Sequence, residues 1–173
     1  GDAHQGERIG PAVVGLAGVY AGPVEEGEKV LRPLREYGPP IADMFQPMPY
    51  NAAQRMADFL WPPGLHSYWK SSYLTALSDA AIDVIADFFA QVPSPQTVIV
   101  LEHNGNGAMD RVPEAATAFG HRGWPYNFVV TSAWSDPNES EKNILWTRKL
   151  FAAMAPFLTP AAYVNYLGGD EGI

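Results

Sequence analysis

The sequence predicts an α+β fold in which a large, mainly antiparallel β-sheet is covered on one face by α-helices. Three observations lead to this prediction. Strand-type and helix-type segments alternate along the 173 residues, the glycine-rich loops of doubly wound nucleotide-binding folds are missing, and the linkers are proline-rich and in several cases long. The order of the elements alone is also compatible with a parallel α/β sheet, so the choice between the two depends on sequence motifs.

The N-terminal third of the chain predicts one strand and two helices. Residues 11–20 are apolar and rich in β-branched side chains, which is typical of a strand. Pro23 at a first helical position, followed by two glutamates, predicts a helix that ends at the Gly-Pro-Pro segment 38–40. A second helix is predicted over residues 51–60. Its apolar side chains are expected to point inward: Ala53, Met56 and Phe59.

A strand, a helix and a second strand are predicted in the middle of the chain. The alternating side chains of residues 67–73 indicate a strand. Ser78 suits the N-cap of the next helix, because its hydroxyl can accept a hydrogen bond from a backbone N–H of the first turn. Residues 97–103 (TVIVLEH) form the clearest strand pattern in the sequence.

The C-terminal third predicts a strand, a helix and a final strand. Residues 126–134 (YNFVVTSAW) are again strand-like, and the Asp136-Pro137 pair then predicts the start of a helix. The last strand is predicted over residues 161–167. Because side chains alternate along a strand, Tyr163 and Tyr166 would point to opposite faces there.

The composition excludes several classes of function. Nineteen acidic residues against 11 basic ones give a net charge of −8, which disfavours nucleic-acid and anionic-membrane partners. The chain has no cysteine, and no apolar run approaches the roughly 20 residues of a membrane-spanning helix. The first residues contain neither an initiator Met nor a signal region, which suggests a trimmed or engineered fragment, with Met removal before Gly1 as the alternative. We expect a soluble protein of the bacterial cytoplasm.

Signatures of nucleotide, metal and serine-hydrolase chemistry are weak. Gly105-Asn106-Gly107 follows a strand but lacks the third glycine of a dinucleotide fingerprint and the lysine of a P-loop, so we expect a turn. The four histidines include no pair at i, i+4, and the sequence has no G-x-S-x-G motif. Neither a metal site nor a hydrolase is therefore predicted.

Several segments together resemble one family. Residues 119–122 (FGHR) followed by residues 126–134 resemble the "F-x-H-R … Y … W" segment of berberine bridge enzyme-like FAD-linked oxidases. Residues 163–166 (YVNY) resemble the "Y-x-N-Y" signature near the C-terminus of that family, and residues 68–71 (YWKS) a strand of its bacterial members. The order and spacing of these motifs are more specific than any one of them.

The resemblance implies an antiparallel sheet and a place in a larger protein. Family members have a FAD-binding domain first and a substrate domain second, and a C-terminal stretch returns to the first domain. Residues 1–173 are therefore expected to be a single substrate-binding domain, without the N-terminal FAD-binding domain and the extreme C-terminus. That flavin domain and a small-molecule substrate are the implied partners. FAD is expected in the full-length parent, with none bound to this piece, which is predicted to be inactive alone.

The resemblance also implies that Tyr166, the second tyrosine of the Y-x-N-Y motif, is a catalytic residue that faces the substrate. In carbohydrate- and alcohol-oxidising relatives, the matching tyrosine removes the hydroxyl proton while a hydride passes to the flavin. A phenol has a pKa near 10 and needs a neighbour that tunes it. Glu102, on an adjacent strand, is expected to be that neighbour and thus a second catalytic residue. His103 is the alternative partner, because the glycine turn leaves the register open by about one residue.

Four residues are expected to line the substrate pocket. Within residues 126–134, Asn127 and Val129 share the smaller and more polar of the two faces. In plant relatives their positions match a lysine and a glutamine or glutamate, so the sequence departs from the family pattern at both. Trp69 and His103 are the other two candidates.

Two other classes of function stay open at this point. The chain could be a stand-alone small-molecule binding module, or a dimeric sheet domain without flavin, in which a second copy closes a sheet face lined by small polar residues. It could also be a ferredoxin-like structural domain, in which apolar side chains fill that face.

Overall fold

The computed structural model describes residues 12–105 and 107–170, and it divides the chain into two compact units. Among the described residues, one unit is Val13–Pro62, and the other comprises residues 63–105 and 107–170 together with Ala12. That residues 1–173 act as a single substrate-binding domain stays a prediction. No helix in the described ranges is long and apolar enough to cross a membrane.

The unit Val13–Pro62 contains two helices, α1 (Val24–Arg35) and α2 (Tyr50–Ala53). The prediction of α1 is confirmed, and an ion pair of 2.6 Å between Arg35 and Asp43 follows its C-terminal end. The strand predicted over residues 11–20 is wrong for residues 12–20, which have no regular secondary structure; Pro11 lies outside the described residues. No described strand pairs with this segment, so its β-branched side chains have no sheet to join.

The helix predicted over residues 51–60 is largely wrong. After the four residues of α2 the backbone tightens into turns with i to i+3 hydrogen bonds, such as Met56 N–H to the Ala53 carbonyl at 3.2 Å. A 3₁₀ turn covers Asp58–Leu60. Met56 and Phe59, which were expected to point inward, are 42% and 76% exposed.

The second unit is built on a three-stranded antiparallel sheet of β1 (His66–Leu74), β2 (Val98–His103) and β3 (Tyr126–Trp134). The strand order is β1-β3-β2, so β3 is central and pairs with both neighbours. The antiparallel arrangement confirms the predicted fold class. The sheet that the described residues form is small, however, and the expectation of a large sheet is not confirmed.

Two helices, α3 (Asp79–Phe89) and α4 (Ser140–Met154), cover one face of the sheet. Ser78 caps α3 as predicted, and its hydroxyl accepts a hydrogen bond of 3.3 Å from the Ala81 N–H. The indole of Trp146 on α4 donates to the Phe88 carbonyl at the end of α3 at 3.2 Å. The buried core that the helices share with this helix-covered face comprises Leu74, Ala81, Val92, Phe128, Val130, Trp146, Leu150 and Met154.

The register determines which side chains lie on the opposite face of the sheet. Asn127 of β3 is paired with Tyr73 of β1 and Glu102 of β2, so the three side chains form one row across this face. The neighbouring row is Ser71, Val129 and Val100. Trp69, Thr131 and Val98 form the next one.

The strand predicted over residues 161–167 is wrong. Tyr73 exchanges backbone hydrogen bonds with Thr159 and Ala161 at the end of β1, but the chain then leaves the sheet and forms a 3₁₀ turn at Val164–Tyr166. In a 3₁₀ turn, side chains three residues apart lie on the same side. Tyr163 and Tyr166 are therefore neighbours, with ring centroids 5.3 Å apart, where a strand would have separated them.

Candidate active site

Tyr166 makes the central contact of the site. Its phenol hydroxyl donates a hydrogen bond of 2.9 Å to Glu102 Oε1, although the two residues are 64 positions apart in the chain. The partner is thus Glu102 and not His103. His103 is exposed, pairs with Tyr126 and packs against its ring at 5.0 Å, on the helix-covered face. Adjacent residues of a strand point to opposite faces, so only one of the two can reach Tyr166.

Asn127 holds the second oxygen of the same carboxylate. Its side-chain amide donates to Glu102 Oε2 at 2.8 Å, across the pairing of β2 with β3. Asn127 is only 2% exposed, and its Oδ1 is buried without a hydrogen-bond partner among the described residues. The two donors, Tyr166 and Asn127, fix the orientation of the Glu102 carboxylate from two sides.

Burial and the Glu102 carboxylate determine the ionisation of Tyr166. Burial is the largest cause, and the hydrogen bond to Glu102 is the second; together with the nearby charge of Glu102 they raise the pKa of Tyr166 to about 12. A carboxylate that accepts a hydrogen bond from the phenol hydroxyl stabilises the neutral phenol. Tyr166 is therefore protonated at neutral pH, and its oxygen can accept a further proton only while it gives its own to Glu102.

Two further tyrosines lie beside Tyr166 and Glu102, and neither was predicted from the sequence to be a site residue. Tyr163 lies edge-on to the Tyr166 ring, and Tyr73 is 2% exposed in the row of Asn127 and Glu102. The pKa of Tyr73 is raised, first by burial and then by the charges of Tyr163 and Glu102. The i, i+3 spacing of the Y-x-N-Y motif would have placed both of its tyrosines here, had it been interpreted as a 3₁₀ turn.

Trp69 and Val129 lie on the same face as Glu102. The Trp69 indole N–H donates to the Tyr166 backbone carbonyl at 3.1 Å, and the side chain is 37% exposed. Val129 is 6% exposed and lies between Ser71 and Val100 in the neighbouring row. The structure thus brings five of the six predicted site residues to one face. The role of each in binding or catalysis stays a prediction.

His121 and Trp124 pack on the side of Tyr73. Their rings stack at 4.7 Å, and each lies within 5.4 Å of the Tyr73 ring. His121 has a φ of 66°, an uncommon conformation for a residue other than glycine. Arg122 ties the same loop to the Met109 carbonyl at 3.3 Å. His121, Trp124 and Tyr73 thus form an aromatic wall beside the site.

Close packing explains Gly105, and the described ranges contain no metal cluster. A Cβ on Gly105 would lie 2.8 Å from the Pro125 Cβ, so close packing against Pro125 explains this glycine. No group of three or more potential metal ligands occurs among the described residues. The side chains in contact with that of Tyr166 are Glu102 and Tyr163, and neither supplies a positive charge for the phosphates of a dinucleotide.

The chain is similar to curated FAD-linked oxidoreductases. A FAD-linked oxidoreductase of Dictyostelium discoideum is 24% identical over 166 residues, which cover 95% of this chain and 36% of that protein. An uncharacterized FAD-linked oxidoreductase of Bacillus subtilis is 29% identical over 154 residues, with 86% and 33% covered. Berberine bridge enzyme-like C-2 of Nicotiana tabacum is 34% identical over 86 residues, with 46% and 15% covered. No protein-family profile matches the chain.

Solved structures of the same kind share the fold. A variant of berberine bridge enzyme has a TM-score of 0.71 at 18% identity, with 86% of this chain and 33% of that one covered. A berberine bridge enzyme-like protein of Arabidopsis thaliana has a TM-score of 0.65 at 21% identity, with 88% and 36% covered. At such identities the likeness shows the fold alone.

The first two relatives are both named FAD-linked oxidoreductases. Within that class the resemblance to the berberine bridge enzyme-like family, which the sequence motifs indicated, is confirmed. The chain spans about a third of the length of the first two relatives. Because the relatives include amoeboid and plant proteins as well as a bacterial one, a bacterial cytoplasmic location stays a prediction.

Proposed function

We propose that this chain is the substrate-binding domain of a FAD-dependent oxidoreductase that transfers a hydride from an alcohol, a sugar or a related small substrate to flavin. The observation that carries the proposal is the hydrogen-bonded series Tyr166–Glu102–Asn127 on the face of the sheet opposite the helices. An alcohol can lose a hydride only if its hydroxyl proton leaves at nearly the same time, and this series offers a path for that proton.

The proton path runs through two acceptors. The substrate hydroxyl proton moves to Tyr166 Oη while the phenol proton moves to Glu102 Oε1, 2.9 Å away. The substrate C–H bond breaks, its electron pair leaves as hydride, and the hydroxyl becomes a carbonyl. This relay requires no phenolate at rest, which agrees with a Tyr166 pKa of about 12. Asn127 keeps Glu102 Oε2 bonded throughout and so directs the incoming proton to Oε1.

FAD, when bound in the full-length protein, would accept the hydride from the substrate carbon. The residues of this chain supply the substrate side of the reaction, namely the phenol, the carboxylate and an aromatic wall. The phosphates of the cofactor require a cradle from elsewhere, and we assign that role to an N-terminal FAD-binding domain of the same protein. The isolated chain should therefore neither retain FAD nor oxidise a substrate.

A small-molecule binding module without flavin is the second candidate. It is favoured by two buried polar atoms on this face, Asn127 Oδ1 and Ser71 Oγ, that have no hydrogen-bond partner among the described residues. Buried polar groups usually have partners, so a bound ligand would satisfy them.

The visible absorption spectrum separates the two candidates. We would purify the full-length gene product and this chain in parallel, and record each spectrum before and after the addition of a panel of sugars and alcohols. We expect a yellow full-length protein whose flavin band bleaches anaerobically with at least one substrate, and a colourless chain. A full-length product that never contains flavin would overturn the proposal and leave the binding module.

A further inference from the structure

The segment after Tyr166 crosses from one face of the sheet to the other around strand β1. Trp69 Nε1 holds the Tyr166 carbonyl on the face opposite the helices. Four residues later, Asp170 contacts Tyr68 and Lys70, whose side chains lie on the helix-covered face. β1 is an edge strand of the described sheet, and the side chains of consecutive strand residues alternate between its faces. Tyr68, Trp69 and Lys70 therefore hold the segment from both faces.

Asp170 is the anchor on the helix-covered face. Its carboxylate accepts hydrogen bonds from the Tyr68 hydroxyl, from Lys70 Nζ at 3.0 Å and from an Arg148 guanidinium nitrogen at 3.0 Å. Arg148 Nε also donates to the Tyr68 hydroxyl at 3.1 Å, which closes the cluster. The donors come from β1 and α4, so a single side chain joins the C-terminal segment to two elements of the core.

The electrostatics of the cluster keep this anchor ionised. Hydrogen bonds from Tyr68, Lys70 and Arg148, in that order, hold the pKa of Asp170 far below its usual range. The Lys70 side chain is only 12% exposed, so water screens its ion pair with Asp170 less than it screens a fully exposed pair. The anchor is therefore charged over the whole pH range in which such a protein would work.

The turn that carries Tyr166 is held by the rings of its tyrosines and by contacts outside it. It is a 3₁₀ turn of three residues, closed by a 2.8 Å hydrogen bond from the Tyr166 N–H to the Tyr163 carbonyl. The Tyr163 ring packs against those of Tyr166 and Phe119, whereas Val164 and Leu167 are 70% and 38% exposed and contribute little apolar burial. Short 3₁₀ turns are not stable by themselves, so the fixed position of Tyr166 depends on contacts outside the turn.

We propose that Asp170 is a positioning residue, which clasps the C-terminal segment around β1 and thereby holds the Tyr166 hydroxyl against Glu102. The clasp consists of Asp170 with its donors on one face and of the Trp69 indole on the other. Its importance for catalysis rests on the proposed function. Its effect on the Tyr166–Glu102 contact does not, and can be measured without flavin.

The test compares Asp170→Asn with Asp58→Asn in the whole chain. Asp58 also pairs with an arginine, at 3.3 Å from Arg55, so the control removes one ion pair and one charge elsewhere. The readouts are the ¹³Cζ resonance of Tyr166, assigned with Tyr166→Phe, and the hydrogen-exchange rate of the Tyr166 amide. Glu102→Gln supplies the Cζ shift of a Tyr166 that has lost its carboxylate partner. The midpoint of denaturant unfolding reports whether the fold is intact.

We expect Asp170→Asn to move the Tyr166 resonance toward its position in Glu102→Gln and to speed exchange of the amide about tenfold or more, with the unfolding midpoint near that of Asp58→Asn. Should Asp170→Asn fail to fold, Arg148→Gln decides the question, because it removes one exposed donor and should shift the resonance less in the same direction. A Tyr166 resonance and exchange rate that match those of Asp58→Asn would overturn the proposal. Such a result would leave the proposed function untouched, which depends on the flavin spectrum.

Discussion

The contact between Tyr166 and Glu102 determines what kind of acid–base chemistry the site can perform. A tyrosine that acts as a base by itself needs a lowered pKa, which a nearby cation would supply. Here the neighbour is a carboxylate, and burial and Glu102 raise the pKa of Tyr166 to about 12. The site therefore fits a relay in which Glu102 is the final acceptor, rather than a resting phenolate.

Replacing Glu102 should lower the pKa of Tyr166. In Glu102→Gln the charge and the ionic hydrogen bond are lost, but burial, which is the largest cause of the shift, remains. We expect a Tyr166 pKa that falls from about 12 toward 10 and stays above 10. Titration of ¹³Cζ-labelled tyrosine measures it, with Glu141→Gln on the exposed side of α4 as the control. An unchanged pKa would show that Glu102 does not act on Tyr166 in solution.

Removing the Asn127 side chain should destabilise the fold. In Asn127→Ala a partly buried carboxylate oxygen of Glu102 loses its donor, and leaving such a group unsatisfied costs about 1–3 kcal/mol. The free energy of unfolding from denaturant titration measures the loss, and the exposed Asn51→Ala should change it by less than about 0.5 kcal/mol. Equal stability of the two variants would mean that the Asn127–Glu102 hydrogen bond does not form.

Among the elements, those with strong composition signals were predicted correctly. β2 is rich in β-branched residues, and β3 contains both β-branched and aromatic residues. Helix α3 begins directly after Ser78, the serine that was predicted to cap it. Residues 161–167 are as strand-like in composition, but among the described residues their backbone bonds to β1 only through Ala161 and Tyr73, so tertiary context decides. Residues 51–60 fail for a similar reason, because the apolar side chains Met56 and Phe59 stay exposed and cannot stabilise a helix.

The second unit depends on the packing of α4 against the sheet. Leu150 is fully buried in the core, whereas Leu145 on the same helix is 48% exposed. We expect Leu150→Ala to lower the free energy of unfolding by about 2–5 kcal/mol. Leu145→Ala should lower it by less than about 1 kcal/mol. Thermal or denaturant unfolding of the two variants measures the difference, and equal losses would contradict the placement of α4.

For the whole molecule, motif order indicated the family. Glu102 was expected to partner Tyr166 with His103 as the alternative, and the clasp at Asp170 was not foreseen. Asp170 meets Lys70 and Arg148 across 100 and 22 positions of sequence. No local periodicity connects residues so far apart, and the strand expected at residues 161–167 would have carried Asp170 elsewhere. The large sheet that the resemblance implied is not confirmed by the described residues, and the chain spans about a third of the first two relatives.

The charge of Asp170 should make the stability of the molecule depend on pH on the acid side. Its pKa is lowered in the folded chain, so the ionised form stabilises the fold above the unfolded pKa of about 3.9. This contribution is lost as the pH falls further toward the folded pKa. The difference in unfolding free energy between the native chain and Asp170→Asn should thus be constant above about pH 5 and shrink below about pH 4. A difference that grows on acidification would contradict the cluster.

The proposed role of Tyr166 in proton transfer is tested most directly by the rate of anaerobic flavin reduction in the full-length protein. The rate is compared between Tyr166→Phe and Tyr37→Phe. Tyr37 is 94% exposed, so its variant keeps the same chemical change without touching the site. A proton relay through Tyr166 predicts that Tyr166→Phe slows flavin reduction by about 10²- to 10⁴-fold, while Tyr37→Phe reduces its flavin at the native rate. Equal rates for the two variants would contradict the role of Tyr166.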